Sequence, residues 1–148
     1  MIFTRFLRRA RNKGIFLRIE ELQYPLERML HKVVAAWLDQ NLPEDTFWTT
    51  FPSGGGGEIR GYILKDMGLK AGVPDILVWG KNKMIGIELK SEKGVLLKDQ
   101  KIVIAKLEQL GFKTYVCKSL ADVQQALHTW GLLRSNNNQQ KGRQNEAV

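Results

Sequence analysis

The stretch GVPDILVWGKNKMIGIELK, residues 72–90, holds two short apolar runs separated by GKNK. Asp75–Trp79 and Met84–Leu89 read as strands, and the residues between them as a turn. The resulting hairpin constrains the chain more than any other feature. It sets the first residue of one strand beside the last residues of the next. Side chains alternate faces along a strand, so Glu88 and Lys90 share one face while Leu89 points to the other. Asp75, Glu88 and Lys90 are therefore expected to converge at one end of a sheet.

Two carboxylates a few ångströms apart repel unless a cation lies between them. Oxygen ligands of this kind suit Mg²⁺ or Mn²⁺. A neighbouring ammonium can orient a water, and a bound metal acts as a Lewis acid toward a phosphoryl oxygen. The same residues also fit a plain strand start after Pro74 and an exposed Glu88–Lys90 pair. A Glu-x-Lys tripeptide is common, so spacing alone leaves both readings open.

Around the hairpin the chain reads as alternating helices and strands. Pro25 suits a first helical turn, and Leu26, Met29, Leu30, Val33, Val34, Trp37 and Leu38 recur at helical spacing until Asn41 and Pro43 stop them. TFWTTF (46–51) is aromatic and β-branched, a strand. PSGGGG forms a loop, and EIRGYILKDMG a short helix closed by Gly68. A helix is expected from Lys98 to Leu110, ended by Gly111, then a strand at KTYVC. Ser119, with Asp122 three residues on, resembles a capping box opening a last helix to about Trp130. This α-β-α-β-β-α-β-α order predicts an α/β fold in which helices pack on a mixed sheet.

At 148 residues, 43% hydrophobic and 26% charged, the composition suits one soluble domain. No apolar run approaches the roughly 18 residues a membrane span needs, and no signal peptide is evident; cytosol is the default compartment. A single cysteine, Cys117, excludes an internal disulfide and a Cys-rich zinc site; it reads as a half-buried strand thiol. Six charges of the net +8 come from Arg5, Arg8, Arg9, Arg11, Lys13 and Arg18, with no acid among residues 1–18. A patch so concentrated suits a polyanion such as nucleic acid. The expected organisation is a basic arm at 1–19, a folded domain at 20–133 and a disordered polar tail at 134–148. His31 and His128 read as helix-surface residues, and the four tryptophans as packing residues. SGGGGE lacks the Gly-Lys-Ser/Thr of a phosphate-binding loop.

Gly72, Pro74, Asp75, Glu88, Lys90, Gly94 and Gln100, in that order, resemble the PD-(D/E)xK nucleases, in particular the virus-type replication-repair nuclease (VRR-NUC) family. LKDMGLKAG resembles that family's short helix before the aspartate, and LEQLGFKTYVCKSLADVQQAL its closing helix-strand-helix. The likeness spans about residues 20–133. It implies a restriction-endonuclease-like α/β core, a central mixed sheet flanked by helices. It also implies Mg²⁺- or Mn²⁺-dependent hydrolysis of DNA, with Asp75, Glu88 and the backbone carbonyl of Leu89 as ligands. Lys90 would position the attacking water, and Gln100 would orient water or phosphate beside it. Glu27, with Glu20 and Glu21 as competitors, would reach the metal through water. Arg5, Arg8, Arg9, Arg11, Arg60 and Lys65 are the expected DNA contacts. The resemblance further implies a homodimer acting on branched DNA such as a Holliday junction. A flap-, nick- or end-processing nuclease and a non-catalytic DNA-binding module are the alternatives. Leu97 and Lys98 stand where the family often has Ser or Thr and then Pro, so the side-chain cap of that helix is lost or moved.

Overall fold

The computed structural model describes residues 19–51 and 57–133. The basic residues Arg5, Arg8, Arg9 and Arg11, most of the glycine-rich loop and the polar tail lie outside them. Eight elements follow in order: α1 (Ile19–Asn41), β1 (Phe47–Thr50), α2 (Gly57–Asp66), β2 (Ile76–Gly80), β3 (Lys83–Leu89), α3 (Lys98–Gln109), β4 (Lys113–Cys117) and α4 (Leu120–Thr129). The predicted order holds, and among the described residues the fold is a mixed four-stranded sheet with four helices.

The strands lie side by side in chain order, β1-β2-β3-β4. The first two pairings are antiparallel. β4 joins β3 in parallel, which a short turn cannot achieve, and α3 supplies the crossover. The β2–β3 register pairs Ile76 with Ile87 and Gly80 with Lys83, so the hairpin turns on Lys81 and Asn82. Asn82 takes φ 61°, in the left-handed region that asparagine tolerates better than most residues.

The alternation of β2 and β3 decides where the core sits. Ile76, Val78, Ile85, Ile87 and Leu89 are buried together with Val34 and Leu38 of α1 and Val123, Ala126 and Leu127 of α4. That apolar layer carries most of the folding free energy, since burying one such side chain stabilises by about 1.5–3 kcal/mol. Residues of opposite parity, Glu88 among them, are thereby directed to the other face.

One boundary differs from expectation. α1 begins at Ile19, six residues before Pro25, which sits inside the helix instead of in its first turn. The preceding IEELQY is rich in helix formers, and their propensity carries the helix back across the proline. The four tryptophans are half-buried as expected. Trp37, Trp48 and Trp130 pack against the core, and Trp79 meets Phe47 with ring centroids 5.7 Å apart.

Candidate active site

Asp75 stands immediately before β2, opposite the end of β3. Its Oδ2 accepts a hydrogen bond from the Leu89 N–H at 2.8 Å, tying the start of one strand to the end of the next. Its backbone carbonyl accepts from the Phe51 N–H at 3.0 Å and from the Thr50 hydroxyl at 2.9 Å. The position of this carboxylate is thus set by β1, β2 and β3 at once.

Glu88 and Lys90 share a face as strand alternation requires, with Lys90 Nζ 2.7 Å from Glu88 Oε1. Both are buried: Glu88 is 1% exposed and Lys90 7%. The Gln100 Nε2 group donates to the same Oε1 at 2.5 Å. Its Oε1 accepts from the Leu97 N–H at 2.9 Å. Gln100 therefore replaces half of the missing cap, since Leu97 has no side-chain acceptor, while its other end grips Glu88. Gln100 thus lies beside the lysine, and both side chains are bonded to the same oxygen of Glu88.

With Oε1 taken twice, Glu88 Oε2 is buried without any hydrogen-bond partner. A buried carboxylate oxygen left unpaired is unfavourable. Burial holds the Glu88 carboxyl above its ordinary range; its hydrogen bond to Lys90 pulls the other way, and the charges of Asp75 and Glu27 push it up again.

Glu27 approaches from α1. Its Oε1 accepts from the Ser91 N–H at 3.1 Å, just past Lys90. Glu27 thus faces the end of β3, whereas the side chains of Glu20 and Glu21 lie outside those described. The cluster holds three carboxylates, Glu27, Asp75 and Glu88, against one ammonium, Lys90. Among the described residues no three His, Cys, Asp or Glu side chains form a ready-made ion cage.

Two participants escaped the sequence reading. Ser91 is 7% exposed and its hydroxyl is buried without a partner. Its place directly after Glu-Leu-Lys was the one available signal. Thr50 bonds a carbonyl 25 residues away, and no local pattern announces that. Arg60 and Lys65 lie exposed on α2, and no described bond joins them to the cluster.

Two glycines keep the cluster compact. Gly72 sits at φ 86°, and a Cβ there would fall 2.3 Å from the Asp99 carbonyl oxygen. The loop before Asp75 thus lies directly against the first turn of α3, which carries Gln100. A Cβ at Gly94 would stand 3.0 Å from Glu27 Oε1 and 3.1 Å from Ser91 Oγ.

Residues 25–121 match the family model of the VRR-NUC domain. The chain belongs to this family. The matched span takes in Glu27, Asp75, Glu88, Lys90 and Gln100, the five residues expected to serve the chemistry, while the expected DNA contacts Arg5, Arg8, Arg9 and Arg11 lie outside it. The fold is similar to that of a solved structure described as a VRR_NUC domain protein, at 22% identity and a TM-score of 0.56, covering 70% of this chain and 86% of that one. No curated protein matches the chain significantly. VRR-NUC is a nuclease family, which implies that the domain acts on nucleic acid. No helix among the described residues is long and apolar enough to cross a membrane.

Proposed function

We propose that this VRR-NUC domain hydrolyses DNA phosphodiester bonds with Mg²⁺ or Mn²⁺, as a structure-selective endonuclease acting on branched DNA. One observation carries the metal-dependent chemistry: Glu88 Oε2, buried and unpaired beside Asp75, at the end of a hairpin that also presents Lys90. A divalent cation fits this donor set. It would give Oε2 a partner and offset an excess of carboxylate over ammonium. Mg²⁺ keeps several waters and binds through one or two carboxylates plus substrate phosphate, a demand that Asp75 and Glu88 match in kind.

Asp75, Glu88 and the carbonyl of Leu89 would hold the ion, with Glu27 linked to it through water. When bound, it supplies Lewis-acid polarisation of the scissile phosphate and neutralises the charge that builds there. Lys90 directs its ammonium to the attacking water and stabilises the negative charge that water acquires. Gln100 fixes the rotamer of Glu88, and Glu27 fixes the chain just past Lys90. Water oxygen bonds to phosphorus, the P–O3′ bond breaks, and the 3′ oxygen leaves as a hydroxyl while the 5′ side keeps the phosphate. Arg60 and Lys65, with the basic residues 5–11, would meet flanking phosphates.

The branched substrate and the homodimer are the finer part of the reading. Their support is one constellation per chain, where paired cuts in two strands need two.

The test is cleavage of a labelled four-way junction beside a linear duplex of matched sequence, with Mg²⁺, Mn²⁺ or EDTA and with Lys90→Ala. Junction cutting that needs both the metal and Lys90 is the expected result. Equal cutting of the two substrates would remove the branched preference and retain the nuclease. Metal-independent cutting, or none with binding intact, would overturn the chemistry.

A further inference from the structure

His31 lies on α1, one helical turn after Glu27, so the two side chains share a face. Its Nε2 is 2.9 Å from Thr50 Oγ1, and that hydroxyl is 2.9 Å from the Asp75 carbonyl oxygen. The proton count fixes the direction of this chain. A carbonyl can only accept, so the single hydroxyl proton of Thr50 points to Asp75. Thr50 Oγ1 must then accept from His31, and Nε2 carries the hydrogen. α1 thus reaches the two arms of the cluster with two residues four apart. Glu27 holds the Ser91 N–H at 3.1 Å, next to Lys90, while His31 holds Asp75 through Thr50.

We infer that His31 and Thr50 are positioning residues, which fix the Asp75 peptide and so set the distance between its carboxylate and the Glu88–Lys90 pair. A helix is stiff over one turn, so Glu27 and His31 behave as a splint between the two strand ends. The Phe51 N–H bonds the same carbonyl at 3.0 Å, so the Asp75 peptide is held by two donors from the end of β1. Loss of the His31–Thr50 link frees the Thr50 hydroxyl to turn away, leaves the peptide on the Phe51 N–H alone, and loosens the contact between Asp75 Oδ2 and the Leu89 N–H. What Asp75 holds is taken from the nuclease reading above; how Asp75 is held is independent of it.

The experiment compares His31→Leu and Thr50→Val with His31→Gln and Thr50→Ser, which keep an N–H donor and a hydroxyl. Three quantities are measured on the full chain: amide hydrogen exchange at Leu89, Mn²⁺ affinity by calorimetry, and kcat and KM for DNA cleavage. Exchange at Val123, in the α4 core, reports any global loss of stability. In His31→Leu and Thr50→Val, Leu89 exchange should rise roughly five- to tenfold, the equivalent of one ordinary hydrogen bond, with Val123 unchanged. Mn²⁺ affinity and kcat should fall by about the same factor while KM for DNA holds, because the change displaces a metal ligand and not a DNA contact. His31→Gln and Thr50→Ser should recover most of each loss. Unchanged Leu89 exchange in His31→Leu, or equal acceleration at Val123, would overturn the positioning role. Faster Leu89 exchange in a protein that binds no Mn²⁺ would keep the positioning role and overturn the metal chemistry.

Discussion

Gly72 and Gly111 make a natural pair for asking what the approach of α3 to the Asp75 loop contributes. Their φ angles are 86° and 87°, so alanine at either meets the same left-handed backbone, at a cost of about 1–2 kcal/mol. Their surroundings differ completely. A Cβ at Gly111 meets nothing within 4 Å, whereas at Gly72 it lies 2.3 Å from the Asp99 oxygen, 2.4 Å from its carbon and 2.7 Å from the Gln100 nitrogen. All three are backbone atoms and cannot swing aside, so the first turn of α3 has to shift bodily. Overpacking of that kind adds about 1–3 kcal/mol. Gly111→Ala should therefore cost about 1–2 kcal/mol and Gly72→Ala about 2–5 kcal/mol. Urea unfolding measures both, provided the m-value stays constant. Cleavage supplies a second reading: the shifted turn carries Gln100 off Glu88, so Gly72→Ala should lose activity while the folded fraction of Gly111→Ala keeps it. If the two destabilisations agree within about 0.5 kcal/mol, the size of ordinary non-additivity, the close approach is absent and the reasoning fails.

Lys90→Met removes the ammonium 2.7 Å from buried Glu88 and should abolish metal-dependent cleavage. It should also cost about 3 kcal/mol at neutral pH, as for a buried pair broken on one side. The Glu88 pKa is already raised and rises further without Lys90, so stability is retained at low pH and lost as pH climbs through the folded value. Denaturant midpoints for Lys90→Met should therefore approach wild type as pH falls into the ordinary carboxylate range and diverge above it; a constant gap would exclude this account. Cys117 is 1% exposed, and burial pushes its thiol up to about 12. A disulfide reagent should modify it only as fast as the protein unfolds, which mass spectrometry of native and urea-treated protein can check. Ser119 Oγ accepts from the Asp122 N–H at 3.1 Å, so Ser119→Ala should lower stability by about 1 kcal/mol. The Asp122 carboxyl is held below its usual range, first by the Lys118 N–H. Its contribution is present above the ordinary carboxylate pKa and fades as pH falls through the lowered value. Asp122→Asn should flatten the acid limb of the stability curve, only slightly because the group is exposed.

The hairpin was readable because two independent periodicities meet in it. Parity alone puts Ile85, Ile87 and Leu89 into the core and Glu88 opposite, and the turn alone puts Asp75 beside Leu89. The helix limits were readable wherever a breaker stood outside the pattern, as Gly111 does beyond α3. Pro25 misled because a proline is a local signal, while helix length depends on the propensity of everything before it. Gln100 was found as a position beside Lys90, but its bond to Glu88 was not foreseen. Its bond to Leu97 is local, but its bond to Glu88 joins two elements 12 residues apart, and Gly72 lets the loop before Asp75 lie against the same turn. Thr50 and His31 left no trace in the sequence, for their link to Asp75 joins three elements and follows no spacing rule.

The site also explains why its residues are arranged against the stability of the fold. Glu88 is 1% exposed, yet a carboxylate is held there with one oxygen unpaired. Lys90, itself nearly buried, offsets only part of that, because its ammonium sits on Oε1 at 2.7 Å and leaves Oε2 unpaired. Burial above all, and then the charges of Asp75 and Glu27, hold the Glu88 carboxyl above its ordinary range, and without further positive charge that strain stays in the fold. The apolar layer on the opposite face of the same two strands supplies the opposing free energy, and it needs every inward residue of β2 and β3 to do so. This is why the hairpin is buried on both sides at the end that carries Glu88 and Leu89: one face holds the fold together, and the other keeps the charges close. A cation that relieves the strain should therefore raise the melting temperature as it restores function. Glu88→Gln, which removes the strain and the ligand together, should stabilise the metal-free protein relative to Lys90→Met while responding to no metal at all.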